Sequence, residues 1–167
     1  MSGSSRLGQT GFVPTRKSAG ILLFREGRSG IEVLLGHMGG PLWERRDAGA
    51  WSIPKGEYEP PEDAVHAARR EFTEELGRPM PDGELIDLGE ARQAGKVVRA
   101  WAVAGDLDPD DIAPGTFEME WPPRSGQRRE FPEIDRAAWF GLDAAAQRIV
   151  AGQRPFLDRI AERLRSD

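Results

Sequence analysis

The chain has 167 residues, of which 38% are hydrophobic and 31% charged, the size and balance of one globular core and not of a disordered polymer. Its formal net charge of -5 gives no broad attraction for a nucleic-acid backbone. A polymer is therefore not expected as a partner, whereas a small anion stays open if a metal or local arginines supply positive charge. With no cysteine, disulfides, thiolate metal sites and a cysteine nucleophile are excluded.

Residues 1–14 predict a flexible arm whose Gly- and Ser-rich composition continues to about Lys17, without the apolar block of a secretory signal. No stretch approaches the roughly 18–20 apolar residues that cross a bilayer, so no membrane partner and a cytoplasmic location are expected. Residues 15–167 read as a single domain. Two β-like segments, 18–24 and 31–37, flank a turn at 26–30. A polar loop follows at 39–50, then a short strand at 51–53 stopped by Pro54.

Residues 62–76 form the clearest helix. Pro60 and Pro61 stand at its start, Glu62 and Asp63 fall in its first turn, and Gly77 ends it, with no N-cap side chain at the expected position. Strands are predicted at 85–94 and 97–103, and again at 117–121 and 137–140 on either side of an irregular stretch, 122–132. Helices are predicted at 142–150 and 156–164. Strands around a central helix, with helices at the end, indicate α/β layers around a mixed sheet.

At about 100° per residue, Val65, Phe72 and Leu76 fall on one stripe of the 62–76 helix, with Ala68 at its edge. Glu71, Glu74 and Glu75 fall together in an adjacent arc, close enough for their carboxylates to meet. Their mutual repulsion costs a few tenths of a kcal/mol per exposed pair, and a hard divalent cation would reverse its sign. On spacing alone, such an arc is an ordinary solvated face. The surrounding pattern changes that reading.

From Gly56 the sequence runs GEYEPPEDAVHAARREFTEELGR. It resembles the box of the Nudix (MutT-like) hydrolase family at Gly56, Glu62, Arg70, Glu71, Phe72, Glu74, Glu75 and Gly77. A chance match in a chain of this length is on the order of one in a hundred thousand. Arg78 departs, standing where the family prefers an aliphatic residue, and implies local repacking at the helix exit. The approach Trp51-Ser52-Ile53-Pro54-Lys55-Gly56 is also similar to the family's.

The resemblance implies an α/β/α sandwich around a mixed sheet, with a loop–helix–loop catalytic motif. It further implies Mg²⁺ (or Mn²⁺) bound by Glu71, Glu74, Glu75 and the Lys55 carbonyl, while Glu62 and Arg70 brace the cradle as an ion pair. The implied activity is metal-dependent hydrolysis of a nucleoside diphosphate linked to another moiety, with Glu71 or a later acid as general base. Residues 131–142 resemble a region of diadenosine tetraphosphate hydrolases that carries such an acid, here Glu133, with Glu130 as its rival. A dinucleoside polyphosphate is therefore the first expected substrate. A (d)NTP or nucleotide sugar is the alternative, and a non-catalytic nucleotide-binding module the rival class.

Trp43, in a polar loop, is a candidate base contact, and Lys96, Arg124 and Arg128, with Arg129 nearby, are candidate phosphate contacts. Most of the other tryptophans read as core. His37 and His66 are isolated, and their spacing fits neither a zinc site nor a nucleophile–base pair.

Overall fold

In the computed structural model, which describes residues 15–166, the two early apolar segments form a long hairpin. Strand β1 (Arg16–Gly27) pairs antiparallel with β2 (Gly30–Met38), in register from Phe24 opposite Val33 to Gly27 opposite Gly30. Two short strands follow, β3 (Trp51–Ser52) on β2 and β4 (Lys55–Glu57) on β1. Helix α1 (Ala64–Leu76) leads to β5 (Ile86–Gln93) and β6 (Lys96–Ala104), and β6 lies parallel to β1. After a 3₁₀ turn at Pro109–Asp111 come β7 (Thr116–Glu120), β8 (Arg128–Pro132) and β9 (Ile134–Gly141). Helices α2 (Leu142–Arg148) and α3 (Arg154–Ser166) close the described chain.

The main sheet is mixed and seven-stranded, in the order β3-β2-β1-β6-β5, with β4 added on β1 and β9 on β2. Alternation along β1 gives each face its own core. Ala19, Ile21 and Leu23 meet Ala67, Ala68, Phe72 and Leu76 of α1, while Leu22 and Phe24 meet Ala145, Phe156, Leu157 and Ile160 of α2 and α3. This is an α/β/α sandwich, as the sequence implied. Trp51 and Trp101 are buried in these cores.

Two expectations are corrected. Residues 122–132 are not irregular throughout, because Arg128–Pro132 pairs with Thr116–Glu120 in a separate two-stranded hairpin. Exposed charges alternate with half-buried apolar side chains along β7, and the burst of Arg and Glu in β8 hid its partner. The helix also has an N-cap after all. Asp63 is extended (φ -71°, ψ 140°) and accepts from the His66 N–H at 3.3 Å, so the helix begins two residues later than predicted.

Replacing Asp63 with Ala should lower stability by about 1 kcal/mol and the melting temperature by roughly 2–4 °C. Thermal unfolding followed by circular dichroism checks this; an unchanged midpoint would show that the cap contributes nothing.

Candidate active site

Burial of Phe72 and Leu76 fixes how α1 is rotated, and this turns the neighbouring acidic arc toward the β7 end of the fold. Glu71, Glu74 and Glu75 line a cavity of ≈ 290 Å³ whose other wall is Gly115, Thr116 and Glu133. Glu71 is almost enclosed, with 13% of its side chain exposed, whereas Glu74 is 57% exposed at the mouth. Glu130 sits on β8, paired across the hairpin with Glu118, and does not line the cavity. A larger concavity of ≈ 610 Å³ around Arg25 and Arg28 lies at the β1–β2 turn and holds none of these acids.

The approach loop is built against the carboxylates. A Cβ at residue 56 would overlap the Glu71 carboxyl group, so glycine is the residue that lets β4 come this close. One residue earlier, the Lys55 backbone N–H donates to Glu75 Oε1 at 3.2 Å. A buried glutamine secures the same loop: Gln153 accepts from the Ile53 N–H at 3.0 Å and donates to Ser52 Oγ and Gln93 Oε1. At the far end of α1, Gly77 takes φ 67° and lies too close to Ala113 to carry a side chain. There the N–H groups of Ala113 and Gly115 cap the carbonyls of Leu76 and Glu74. Arg78 donates to the Asp111 carbonyl at 2.6 Å, which is the repacking expected at the helix exit.

Arg70 is the cation shared among the acids. It grips Glu62 with two hydrogen bonds of 2.8 and 2.9 Å, and its Nη1 also reaches Glu71 at 2.6 Å and Glu74 at 3.3 Å. Hydrogen bonding to Arg70 lowers the Glu62 carboxyl below its ordinary range. Burial pushes Glu71 upward against the pull of Arg70. Burial likewise raises Glu75 to about 8, opposed by Lys55 and reinforced by the charges of Glu133 and Glu71.

Among the described residues, no three His, Cys, Asp or Glu side chains converge closely enough to hold an ion as they stand. Arg70 draws Glu71 and Glu74 toward itself, and like charges without a cation separate. The donor set still fits a hard divalent cation, since the carboxylates of Glu71, Glu74, Glu75 and Glu133 line one cavity with space for water.

Of the other predicted residues, Lys96 begins β6 opposite Arg16, half-buried beside Lys55, with burial and the Lys55 charge lowering its pKa. Trp43 packs on the core cluster beneath α2 and α3, with the Arg46 guanidinium 5.6 Å from its ring centre. Arg124 lies at the turn of the β7–β8 hairpin, and Arg128 pairs with Glu118 at 3.2 Å. None of these three lines the carboxylate cavity. Gly115 and Thr116 do line it and were not foreseen. They belong to no short-range motif, and only the cap on α1 brings them in.

The family model described as NUDIX domain matches residues 14–160. No curated protein matches the chain. Among solved structures, the chain resembles a C. elegans Ap4A hydrolase binary complex with a TM-score of 0.66 at 23% identity, covering 91% of this chain and 99% of that one. It resembles the NUDIX domain of Shewanella oneidensis NrtR complexed with ADP ribose with a TM-score of 0.62 at 15% identity, over 98% and 99% of the two chains. A MutT protein from Methanosarcina mazei gives 0.57 at 22% identity, over 90% and 96%. At these identities the likeness is one of fold.

Because Glu75 holds its proton more tightly when folded, folding takes up a proton between the ordinary value of 4.5 and about 8. Its contribution to stability therefore falls as pH rises through that window. In metal-free buffer, Glu75→Gln should gain melting temperature over the parent progressively toward pH 8. Parallel curves for the two proteins would contradict the burial of this carboxyl.

Proposed function

The chain belongs to the NUDIX domain family of hydrolases acting on phosphoric acid anhydrides, and from that premise we propose a metal-dependent pyrophosphohydrolase that cleaves a nucleoside diphosphate linked to another moiety. The observation that carries this reading is the shared cavity of Glu71, Glu74, Glu75 and Glu133. Glu71, Glu74 and Glu75, with the Lys55 carbonyl, hold Mg²⁺, or Mn²⁺ in its place. When bound there, such an ion would neutralise phosphate charge and make water a better nucleophile.

The chain's own groups supply the rest. Water attacks phosphorus, the anhydride P–O bond breaks, and a carboxylate accepts the proton released by the water. Glu133 suits that role better than Glu71, whose carboxylate is already assigned to the metal. Among the described residues the Glu133 carboxylate has no ion-pair partner, and it forms the wall opposite the helix. Glu62 fixes Arg70, and Arg70 in turn orients Glu71 and Glu74. Lys55 and Lys96, two like charges held side by side, are stabilised by an anion between them, so they bind phosphates beyond the cleaved bond. Trp43, Arg124 and Arg128 reach substrate only through movement of the 39–50 loop or of the hairpin.

The preferred substrate is a dinucleoside polyphosphate such as diadenosine tetraphosphate, supported by the 131–142 segment and by likeness to the C. elegans Ap4A hydrolase. A (d)NTP or nucleotide sugar is the second reading, favoured by the ADP-ribose complex of the NrtR NUDIX domain, which also keeps a nucleotide-binding module in view. No described helix is long and apolar enough to cross a membrane, and the site of action proposed is the cytoplasm.

Incubation with Mg²⁺ and a panel of dinucleoside polyphosphates, nucleoside triphosphates and nucleotide sugars, with products separated by chromatography, should show turnover fastest on the first class. Glu74→Gln should cost several kcal/mol of transition-state stabilisation, lowering kcat about a hundredfold or more with the melting temperature nearly unchanged. Turnover of no diphosphate-linked compound would overturn the enzyme reading in favour of the binding module. A fully active Glu74→Gln would overturn the metal assignment.

A further inference from the structure

We infer that His37 is a doubly protonated, buried ring that clamps the 39–50 loop to the start of β9, next to the bend that carries Glu133, and so acts as a positioning residue for the site. Its ring is completely buried on β2. Nδ1 lies 2.9 and 3.1 Å from the two Asp135 oxygens, and Nε2 lies 2.6 Å from the backbone carbonyl of Arg46. A carbonyl and an ionised carboxylate can only accept. A neutral imidazole carries one N–H, so one of these contacts would set lone pair against lone pair at hydrogen-bond distance. With both nitrogens protonated the ring satisfies both partners, and Asp135 balances its charge.

The surroundings favour that state. Arg136 reaches Asp135 at 3.4 Å and lies over the Trp51 ring. Trp51 meets His37 edge-on at 5.2 Å and is itself held by Asp47, which Arg148 approaches at 3.4 Å. Arg46 contributes its carbonyl, while its guanidinium turns away over Trp43. No other charged side chain is bonded to the ring among the described residues.

The link to the site is a β-bulge. The β2–β9 register shifts between His37, opposite Arg136, and Met38, opposite Ile134, so that Asp135 is the extra residue. A bulge re-aims side chains, and this one turns Asp135 onto His37 two positions after Glu133. The Gly39 N–H then donates to the Glu133 carbonyl at 3.0 Å. The 39–50 loop and the start of β9, directly after Glu133, therefore share one ring as their anchor. Protonation and clamping stand on this geometry alone, whereas the consequence for hydrolysis rests on the role proposed for Glu133.

The test uses the whole chain labelled with ¹⁵N-histidine. His66, the only other histidine, is removed as His66→Gln so that a single ring is observed. Both ring nitrogens of His37 should be protonated at neutral pH, and Asp135→Asn should reduce the ring to one proton. In His37→Gln, and in Asp135→Asn should the first variant fail to fold, trypsin should cut after Arg45 and Arg46 about tenfold faster, as expected when a loop loses its anchor and opens locally. Hydrolysis by the same folded variants should lose kcat with little change in KM. A singly protonated ring in the parent, or cleavage at the parental rate in folded variants, would overturn the clamp. A parent with no hydrolytic activity would instead sink the reading of Glu133, leaving the ring and protease results to decide the clamp.

Discussion

Packing Phe72 and Leu76 under the sheet sets the rotation of α1, and that rotation forces Glu71, Glu74 and Glu75 into one concavity. The energetics are lopsided. Burying each apolar side chain contributes about 1.5–3 kcal/mol, while burial raises Glu75 to about 8, so that it can hold a proton in place of one of the crowded charges. Core formation can therefore impose an unfavourable charge arrangement and still leave the fold stable. Glu133, on the opposite wall of the cavity, adds to the repulsion instead of relieving it.

What relieves it inside the molecule is a small set of cations and donors. Arg70 is shared among Glu62, Glu71 and Glu74, and the Lys55 N–H serves Glu75. Neither is complete compensation, since burial still raises Glu71 and carries Glu75 to about 8. A divalent cation in the cavity would lower both and draw the carboxylates off Arg70. Metal binding and a change in side-chain arrangement are thus one event. The loop before the helix is tuned to the same end, with Gly56 giving Glu71 room and Gln153 tying Ile53 in place.

Much of this was legible in the sequence because its information is local. The helical arc of glutamates, the Gly56 and Gly77 positions and the two early strands all follow from spacing within a few residues. Asp63 was misjudged as a first-turn residue because two prolines before it suggested an earlier start. Strand β8, and with it the pairing to β7, was missed because its exposed run of Arg and Glu lacks apolar alternation. Gly115, Thr116 and the His37–Asp135 contact were not legible. Each depends on residues far apart in sequence, such as Gly115 with Glu74 or His37 with Asp135, that only the folded chain brings together. His37 looked isolated in sequence because its partners follow from a register shift that no local pattern encodes.

The account stands or falls on whether the acidic concavity is an ion site. A crystal of the whole chain grown with Mn²⁺, with anomalous scattering collected at the manganese edge, measures this directly. An anomalous peak bonded to oxygens of Glu71, Glu74 and Glu75, with Arg70 released from Glu71 and Glu74, is the predicted result. Carboxylates still gripped by Arg70 and no peak between them, in a crystal saturated with the metal, would contradict it.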